Sequence, residues 1–393
     1  MSQACRKQVF SFGFSKAFDK VPHQRLLTKL KGYGISGKIY DWVKDFLHGR
    51  KQKVVINGSS STTIPVTSGI PQGSVLGPIL FLIYINDLPE EIDCFIKLFA
   101  DDSKLYKPVS TLGEANNLQG NIDKAVVWSN KWKMTFNQSK CKHLHVGKKA
   151  PLGDYTMTNH PVEQVPYEKD LGVIVDQKLE FTVHINGKIS KANRALGIIY
   201  RAFTYLDKGI FLNLFKSLVR PHLEYASTIW TPIYKKDKIA IENVQRRATR
   251  LLGNLSEKSY PERLRELGLP SLEYRRLRAD VIQTYKILNN IDQVDKSKLF
   301  TMANSNTTRG HSKKLYKRRS RLRMRSNFFS NRVVDVWNSL PEEVVSAPSV
   351  NCFKSRLNSH WKKHPHKFSP PCLTPSTLTS YDKEIYKKHL SEA

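Results

Sequence analysis

The chain has 393 residues, 40% hydrophobic and 25% charged, which suits two or three globular domains and argues against a disordered chain. Lys and Arg total 64 against 34 acids, a net charge of +30 that points to a polyanionic partner, because basic side chains that neutralise phosphates release condensed counterions. The five Cys (5, 94, 141, 352 and 372) lack paired spacing, no charged-then-apolar leader opens the chain, and the longest apolar run, Val75 to Ile85, is shorter than the ~20 residues of a membrane span. These features argue against a disulfide framework, a secretory route and a membrane partner, and give an intracellular expectation, nucleus or cytoplasm.

Residues 8–14, with Val9 and several Phe, favour a strand. Val21-Pro22 precedes a helix with Leu26, Leu27 and Leu30 at helical spacing. A second helix is predicted from Lys38 to Leu47, with Ile39, Trp42, Val43, Phe46 and Leu47 on one face. "QKVVING" and "TTIPVTSG" read as two strands about the polar turn Asn57-Gly58-Ser59. Ser68 to Leu88 reads as a turn feeding a buried helix, and "DCFIKLFADDSKLYKPV" as a hairpin. "GNIDKAVVWSNKWKMTFN" reads as a helix, and "KCKHLHVG" and "DLGVIVD" as strands.

Beyond about residue 184 the pattern is helical. One apolar stripe is Ile185, Ile189, Ala192, Leu196, Ile199 and Phe203. A second, from Phe211 to Val219, is expected to break at Pro221, and a third holds Leu277, Val281, Tyr285 and Leu288. Residues 291–312 are polar and linker-like, and 364–380 are rich in Pro, Ser and Thr.

Within the hairpin, Phe99-Ala100-Asp101-Asp102 places two acids at a turn. Adjacent side chains point apart on a strand, but at a turn both can approach one place. Two carboxylates held together repel unless a cation joins them, and hard oxygen ligands suit Mg²⁺. Taken alone, Asp-Asp is an ordinary polar turn. Upstream, "SGIPQGSVLGPILFLIYINDLP" combines Gly69 and Gly73, which let backbone approach a ligand, with Gln72 as an amide donor and acceptor and an apolar helix behind.

Taken in order, "FSKAFDKVPH", "SGIPQGSVLGPILFLIYINDLP", "KLFADDSKLY" and "MTFNQSKCKHLHVG" resemble successive motifs of the reverse transcriptase of non-LTR (LINE-type) retrotransposons, particularly jockey-like ones. "YEKDLGVIVDQKLEF" resembles the primer-grip region, and "PHLEYASTIW" and "SNFFSNRVVDVWNSLPEEVVSAPSVNCFK" resemble the C-terminal part of the same element proteins. A group II intron maturase, another palm-type nucleotidyltransferase, is the weaker match to the long second motif.

The resemblance implies an α/β right-hand palm, with an antiparallel sheet backed by helices, performing RNA-templated DNA synthesis with two Mg²⁺. Its partners would be an RNA template, a DNA primer or target, and deoxynucleotides. Asp101 and Asp102 match two of three metal-binding acids. Phe18 matches the bulky residue that screens the ribose 2′-hydroxyl, Gln72 and Gly73 match the template–nucleotide contact, and Lys140 matches a lysine that protonates pyrophosphate. The implied layout is a palm at 1–165, a primer-grip-like hairpin at 166–184, a helical thumb-like region at 185–290, a linker and basic region at 291–363, and a flexible tail at 364–393.

Two departures follow. The family pattern Asp-Phe-Ser-Lys-Ala-Phe-Asp here begins with Gly13, so glycine stands at the third metal-binding position. Asp19 lies six residues on, up to roughly 20 Å of extended chain away. The family also carries a fingers region and an endonuclease upstream, and neither precedes Gly13 here, so a truncated copy is expected. Little or no polymerase activity is the resulting expectation, with a non-catalytic nucleic-acid-binding remnant as the alternative. The reading requires the hairpin acids to face the beginning of the first strand, with the proline-glutamine-glycine bend beside them.

Arg309 to Arg325 contains Lys313, Lys314, Lys317, Arg318, Arg319, Arg321, Arg323 and Arg325 with no acid, and Tyr316 interleaved. The run suits nonspecific phosphate contact, a nuclear import signal or a solvated segment, the first being favoured.

Overall fold

The computed structural model describes residues 7–147, 153–203, 205–303 and 310–373. The chain forms two compact units, one reaching Glu168 and including Asp176–Lys178, the other comprising Lys169–Val175 and the chain from Leu179 onward.

The first unit begins with β1 (Lys7–Gly13), α1 (His23–Gly32) and α2 (Gly37–Leu47). A long, interrupted hairpin follows, β2 (Lys51–Gln52), β3 (Val55–Ile56), β4 (Ser59–Ser60) and β5 (Ile64–Pro65), then α3 (Leu76–Ile85). Next come β6 (Phe95–Phe99), β7 (Asp102–Pro108), α4 (Leu112–Trp132) and β8 (Lys142–Val146). The short β9 (Thr156–Met157), β10 (His160–Pro161) and β11 (Glu163–Val165) complete it. The main sheet runs β11-β8-β1-β7-β6. β1 is central and antiparallel to both β7 and β8, whereas β11 is parallel to β8.

Alternation in β1 buries Gln8, Phe10 and Phe12 on one face, as period-2 patterning requires. Phe10 and Phe12 join one core with Leu26 and Leu30 of α1, Phe81 of α3, and Leu118 and Ile122 of α4. α4 starts under a capping box in which Thr111 accepts the Glu114 N–H and Glu114 accepts the Thr111 N–H. The apolar face expected on α2 is only partly covered: Val43 and Leu47 are buried, Ile39 and Trp42 exposed. The helix expected to be buried at α3 likewise exposes Ile79 and Leu82 while burying Leu80, Phe81 and Tyr84.

A buried lysine ties three of these helices together. The Lys29 ammonium donates to the Tyr84 carbonyl and to Asp87, each at 2.5 Å, and lies 3.8 Å from the centre of the Trp132 ring. Burial lowers its pKa to about 8 despite the Asp87 partner.

The division between units falls within a hairpin, β12 (Tyr167–Asp170) and β13 (Val173–Asp176), whose turn places Leu171 and Gly172 at positive φ. The second unit is helical, with α5 (Thr182–Ala202), α6 (Lys208–Leu214), α7 (Arg220–Glu224), α8 (Ser227–Trp230), α9 (Lys235–Ala248), α10 (Tyr260–Leu267) and α11 (Leu272–Leu288). Pro221 does not end the second stripe: a wide turn over Phe215–Val219 carries the chain into α7, where proline occupies the first turn and no intrahelical donor is needed. Glu242 of α9, wholly buried, accepts the Leu272 N–H at 3.1 Å and the Tyr260 hydroxyl at 2.7 Å, so a carboxylate caps α11. Tyr285 of α11 stacks on Phe353 in a core that includes Trp337 and Leu357.

Two stretches read as loose are packed. Between 291 and 312, Phe300 and His311 are buried, and Met302 bridges to Leu315; residues 304–309 lie outside the described residues. At the start of the expected tail, Ser271 donates its N–H to the Lys367 carbonyl at 2.8 Å and its hydroxyl to that of His366, and Cys372 is buried; residues 374–393 lie outside the described residues. Polar composition misled here because a few apolar anchors suffice to seat an irregular segment.

Buried histidines make both units acid-sensitive. His143 bonds Gln8 at 2.6 Å and stacks on Phe10, and burial lowers its pKa to about 4. His184 accepts the Ile174 N–H, and burial with Lys188 and Lys191 nearby lowers it also to about 4. A folded-state value below the unfolded one means that stability is full above pH ~6.5 and falls as pH drops towards 4, by on the order of 3 kcal/mol per histidine. Urea midpoints measured between pH 7.5 and 4.5 should fall steadily below pH 6.5; a flat profile contradicts the neutral buried histidines.

Candidate active site

The sheet register assembles the first part of the site. Antiparallel pairing of β1 with β7 sets Gly13 directly opposite Asp102, and directly opposed residues share a sheet face. The acids therefore meet the end of the first strand, whereas its beginning, Lys7, pairs with Pro108. In the β6–β7 hairpin Phe99 pairs with Asp102, leaving Ala100-Asp101 as a two-residue turn. Ala100 has φ +51°, a conformation that favours glycine and gives the turn its tight reversal. Asp101 is half-buried, Asp102 is exposed, and neither carboxylate has a hydrogen-bond or ion-pair partner among the described residues.

Gly13 continues into a short bridge between Phe14 and Phe136, and its carbonyl accepts the Asn137 N–H at 2.9 Å. A Cβ placed at Gly13 would meet only the Lys140 side chain, with its Cδ at 3.3 Å. The methylenes of Lys140 thus border the space that a side chain at position 13 would take.

The second part lies one turn further along the chain. Phe18 stacks on Phe81 at 4.7 Å between ring centres, which fixes its position against α3. The Gln72 amide donates to Asp19 Oδ1 at 3.0 Å, and Ser68 donates to the Asp19 carbonyl at 3.0 Å. The Ile70 N–H donates to the Phe18 carbonyl, and the Gly69 N–H to that of Val21, both at 2.8 Å. Asp19 holds the glutamine turn. That role had no sequence signal, since its partner lies 53 residues away. Gly73, exposed at φ +82°, lies at the rim.

Beside this turn is a groove of about 490 Å³ lined by His23, His48, Arg50, Lys51 and Ser68. His23 bonds the Gly69 carbonyl at 2.8 Å. Two clusters therefore stand at the end of β1: Gly13, Asp102 and Lys140, and Phe18, Asp19 and Gln72.

Residues 2–185 match the family model "Reverse transcriptase (RNA-dependent DNA polymerase)". That stretch is a reverse transcriptase domain, and the chain is similar to the polymerases of jockey-like, non-LTR elements. It is 30% identical over 229 residues to the RNA-directed DNA polymerase from mobile element jockey of Drosophila melanogaster, covering 55% of this chain and 25% of that protein. The jockey polymerase of Drosophila funebris is 31% identical over 232 residues, with the same coverage. The probable polymerase from transposon X-element of Drosophila melanogaster is 27% identical over 248 residues, covering 60% of this chain and 27% of that one. The chain spans about a quarter of the length of these relatives.

Reverse transcriptases bind a nucleic-acid template and use divalent metal ions. The donors present here fall short of a two-ion centre. The hairpin supplies two carboxylates, position 13 offers only backbone whose carbonyl already takes a hydrogen bond, and no group of three metal-ligating side chains occurs among the described residues.

The glycine turn makes a stability contrast. A Cβ at Gly69 would lie 2.7 Å from the Asp19 carbonyl oxygen with φ at +91°, whereas one at Gly73 meets open space at φ +82°. Gly73→Ala should cost roughly 1–2 kcal/mol from backbone conformation alone. Gly69→Ala should cost clearly more and shift the Phe18–Gln72 segment. Equal losses in chemical denaturation would contradict the close approach.

Proposed function

We propose that the chain is the reverse-transcriptase portion of a non-LTR retrotransposon protein that binds an RNA template with a DNA primer or target, and that its RNA-directed DNA synthesis is impaired. Gly13 opposite Asp102 carries this reading. In the proposed assignment Asp101 and Asp102 are the surviving metal-binding acids for Mg²⁺, and Phe18 screens the ribose 2′-hydroxyl of the incoming deoxynucleotide. Gln72 and Gly73 contact the template–nucleotide pair, and Lys140 serves the pyrophosphate leaving group.

Several observations support it. Stacking on Phe81 would keep Phe18 from yielding to a 2′-hydroxyl. Asp19 fixes the Gln72 amide, so ordering it on a base pair loses little side-chain entropy. The groove with Arg50 and Lys51 suits a phosphate backbone. The exposed Lys140 side chain makes no hydrogen bond or ion pair among the described residues that would hold it away from the site. The missing carboxylate favours a second reading, a nucleic-acid-binding remnant without catalysis, built on the same surfaces. No helix among the described residues is long and apolar enough to cross a membrane, and we place the protein inside the cell, where its template and deoxynucleotides are.

A missing metal ligand is worth roughly several kcal/mol of transition-state stabilisation, and about 1.4 kcal/mol is tenfold in rate. The unaltered chain should extend a DNA primer on an RNA template at or below detection. Gly13→Asp should raise extension at least about a hundredfold, two decades at that conversion. It should also make the thermal midpoint rise with Mg²⁺, because three carboxylates repel until a cation joins them. Robust Mg²⁺-dependent extension by the unaltered chain contradicts the impairment. A Gly13→Asp chain that gains neither extension nor Mg²⁺ stabilisation contradicts the site assignment.

A further inference from the structure

The basic run at 313–325 is a seated strap on the helical unit. The Leu315 side chain is buried, its N–H donates to Asn338 Oδ1 at 2.9 Å, and its carbonyl accepts the Asn338 amide at 2.8 Å. The Trp337 indole donates to the Lys313 carbonyl at 2.7 Å. Several of the cations are used internally: Lys313 donates to Asn289, Lys317 pairs with Asp335, and Arg318 donates to Thr301 at 2.9 Å. Lys314 also has an internal partner. Arg319 and Arg321 are exposed, and their side chains have no partner among the described residues. Arg323 and Arg325, also exposed, lie over rings, with guanidinium carbons 5.7 Å from the Tyr234 ring centre and 5.3 Å from that of Phe328 respectively. Lys236 approaches Tyr234 as well, at 5.7 Å.

Arg323 and Arg325 flank Met324 in the chain, and Met324 lines an apolar groove of about 400 Å³ together with Ile229, Val294, Asn327, Phe328 and Phe329 among others. Its few polar groups are amides and hydroxyls, such as Asn327, Gln283 and Thr228, with no charged side chain in its wall. Phe328 is 44% exposed at the rim and Ile229 60%.

We infer that Arg319, Arg321, Arg323 and Arg325, with the groove behind Phe328, form a second nucleic-acid site that takes a single strand, its phosphates on the guanidiniums and an unstacked base in the groove. Charge fixes the class of occupant: four arginines beside an uncharged slot call for an anion with a flat apolar face. A duplex keeps its bases stacked inside and could use the arginines alone, whereas a single strand can use both features. Guanidiniums over ring faces are pre-ordered, and amides in the slot can meet base edges without requiring one base. This site is separate from the polymerase reading, since every residue in it belongs to the helical unit.

The test uses the full chain and a 12-nucleotide single strand, as DNA and as RNA, with a duplex of equal length for comparison. Fluorescence anisotropy over a range of salt should give single-strand binding whose log–log salt slope falls by roughly 0.7 for each arginine removed. Arg319→Ala/Arg321→Ala/Arg323→Ala/Arg325→Ala should lower affinity at least tenfold for DNA and RNA alike, leaving the thermal midpoint in place because all four side chains are exposed. Phe328→Ala should weaken single-strand binding and spare the duplex, with the salt slope unchanged. Photocrosslinking of a 4-thiouracil oligonucleotide should label the peptide containing Met324 and Phe328. Unchanged affinity and slope in the quadruple variant, labelling confined to the first unit, or an acidic apolar peptide displacing the oligonucleotide more tightly than it binds itself would each overturn the inference. None of these results bears on primer extension, so the two readings fail separately.

Discussion

The register of β1 is the constraint on which the site depends. A side chain in a sheet has one face and neighbours set by the register, and a slip of one residue would exchange faces along the whole strand. Phe10 and Phe12 forbid the slip, because their burial with Leu26, Leu30 and Phe81 would be lost. Pairing with both β7 and β8 repeats the constraint on two edges. The position opposite Asp102 is therefore fixed by residues that take no part in chemistry, and whatever amino acid occupies position 13 is presented there.

Around that fixed point the chain divides its charge by use. Lys29 is buried among aromatic rings and holds α1 against α3 and α4. Arg332 donates to both oxygens of buried Asp280 at 2.8 Å and to the Thr228 carbonyl, joining the C-terminal helices to α11 and α8. These cations are internal and invisible to a polyanion. The net charge of +30 thus overstates the charge free for a polyanion, and the proposed surfaces draw on the cations at the groove beside the glutamine turn and on the exposed arm of the strap.

Much of the palm was legible in the sequence because its signals are local. Period-2 burial gives β1 and β7, whereas the helix read from Gly120 begins earlier, at Leu112, under the Thr111–Glu114 capping box. The paired acids announce their own turn, and Asn57-Gly58, both at positive φ, turn β3 into β4. What was not legible depends on partners distant in sequence. Gln72 meets Asp19, Lys29 meets Asp87, and Glu242 caps α11 thirty residues on, and none of these leaves a spacing pattern. The exposed faces of α2 and α3 were missed for a related reason: amphipathic spacing says which side is apolar and says nothing of what covers it. The strap was read as a charge run because its anchors, Leu315 and His311, are two residues among many cations.

Loss of an acid and retention of the fold are physically compatible, and even expected to go together. Carboxylates gathered for metal ions repel one another, so a catalytic cluster is a cost to the empty protein that stability elsewhere must offset. Glycine at position 13 removes one negative charge from beside Asp102. It does so without a cavity penalty, because Lys140 methylenes border the vacated space. Nor does it disturb the strand, whose pairing continues through Gly13 and on into the Phe14–Phe136 bridge. On the proposed assignment, a sequence under no demand for chemistry could do without this carboxylate and keep the fold that presents the position. On that assignment the fold and the chemistry would separate at this one position, because the first rests on the register and the second on what the register presents.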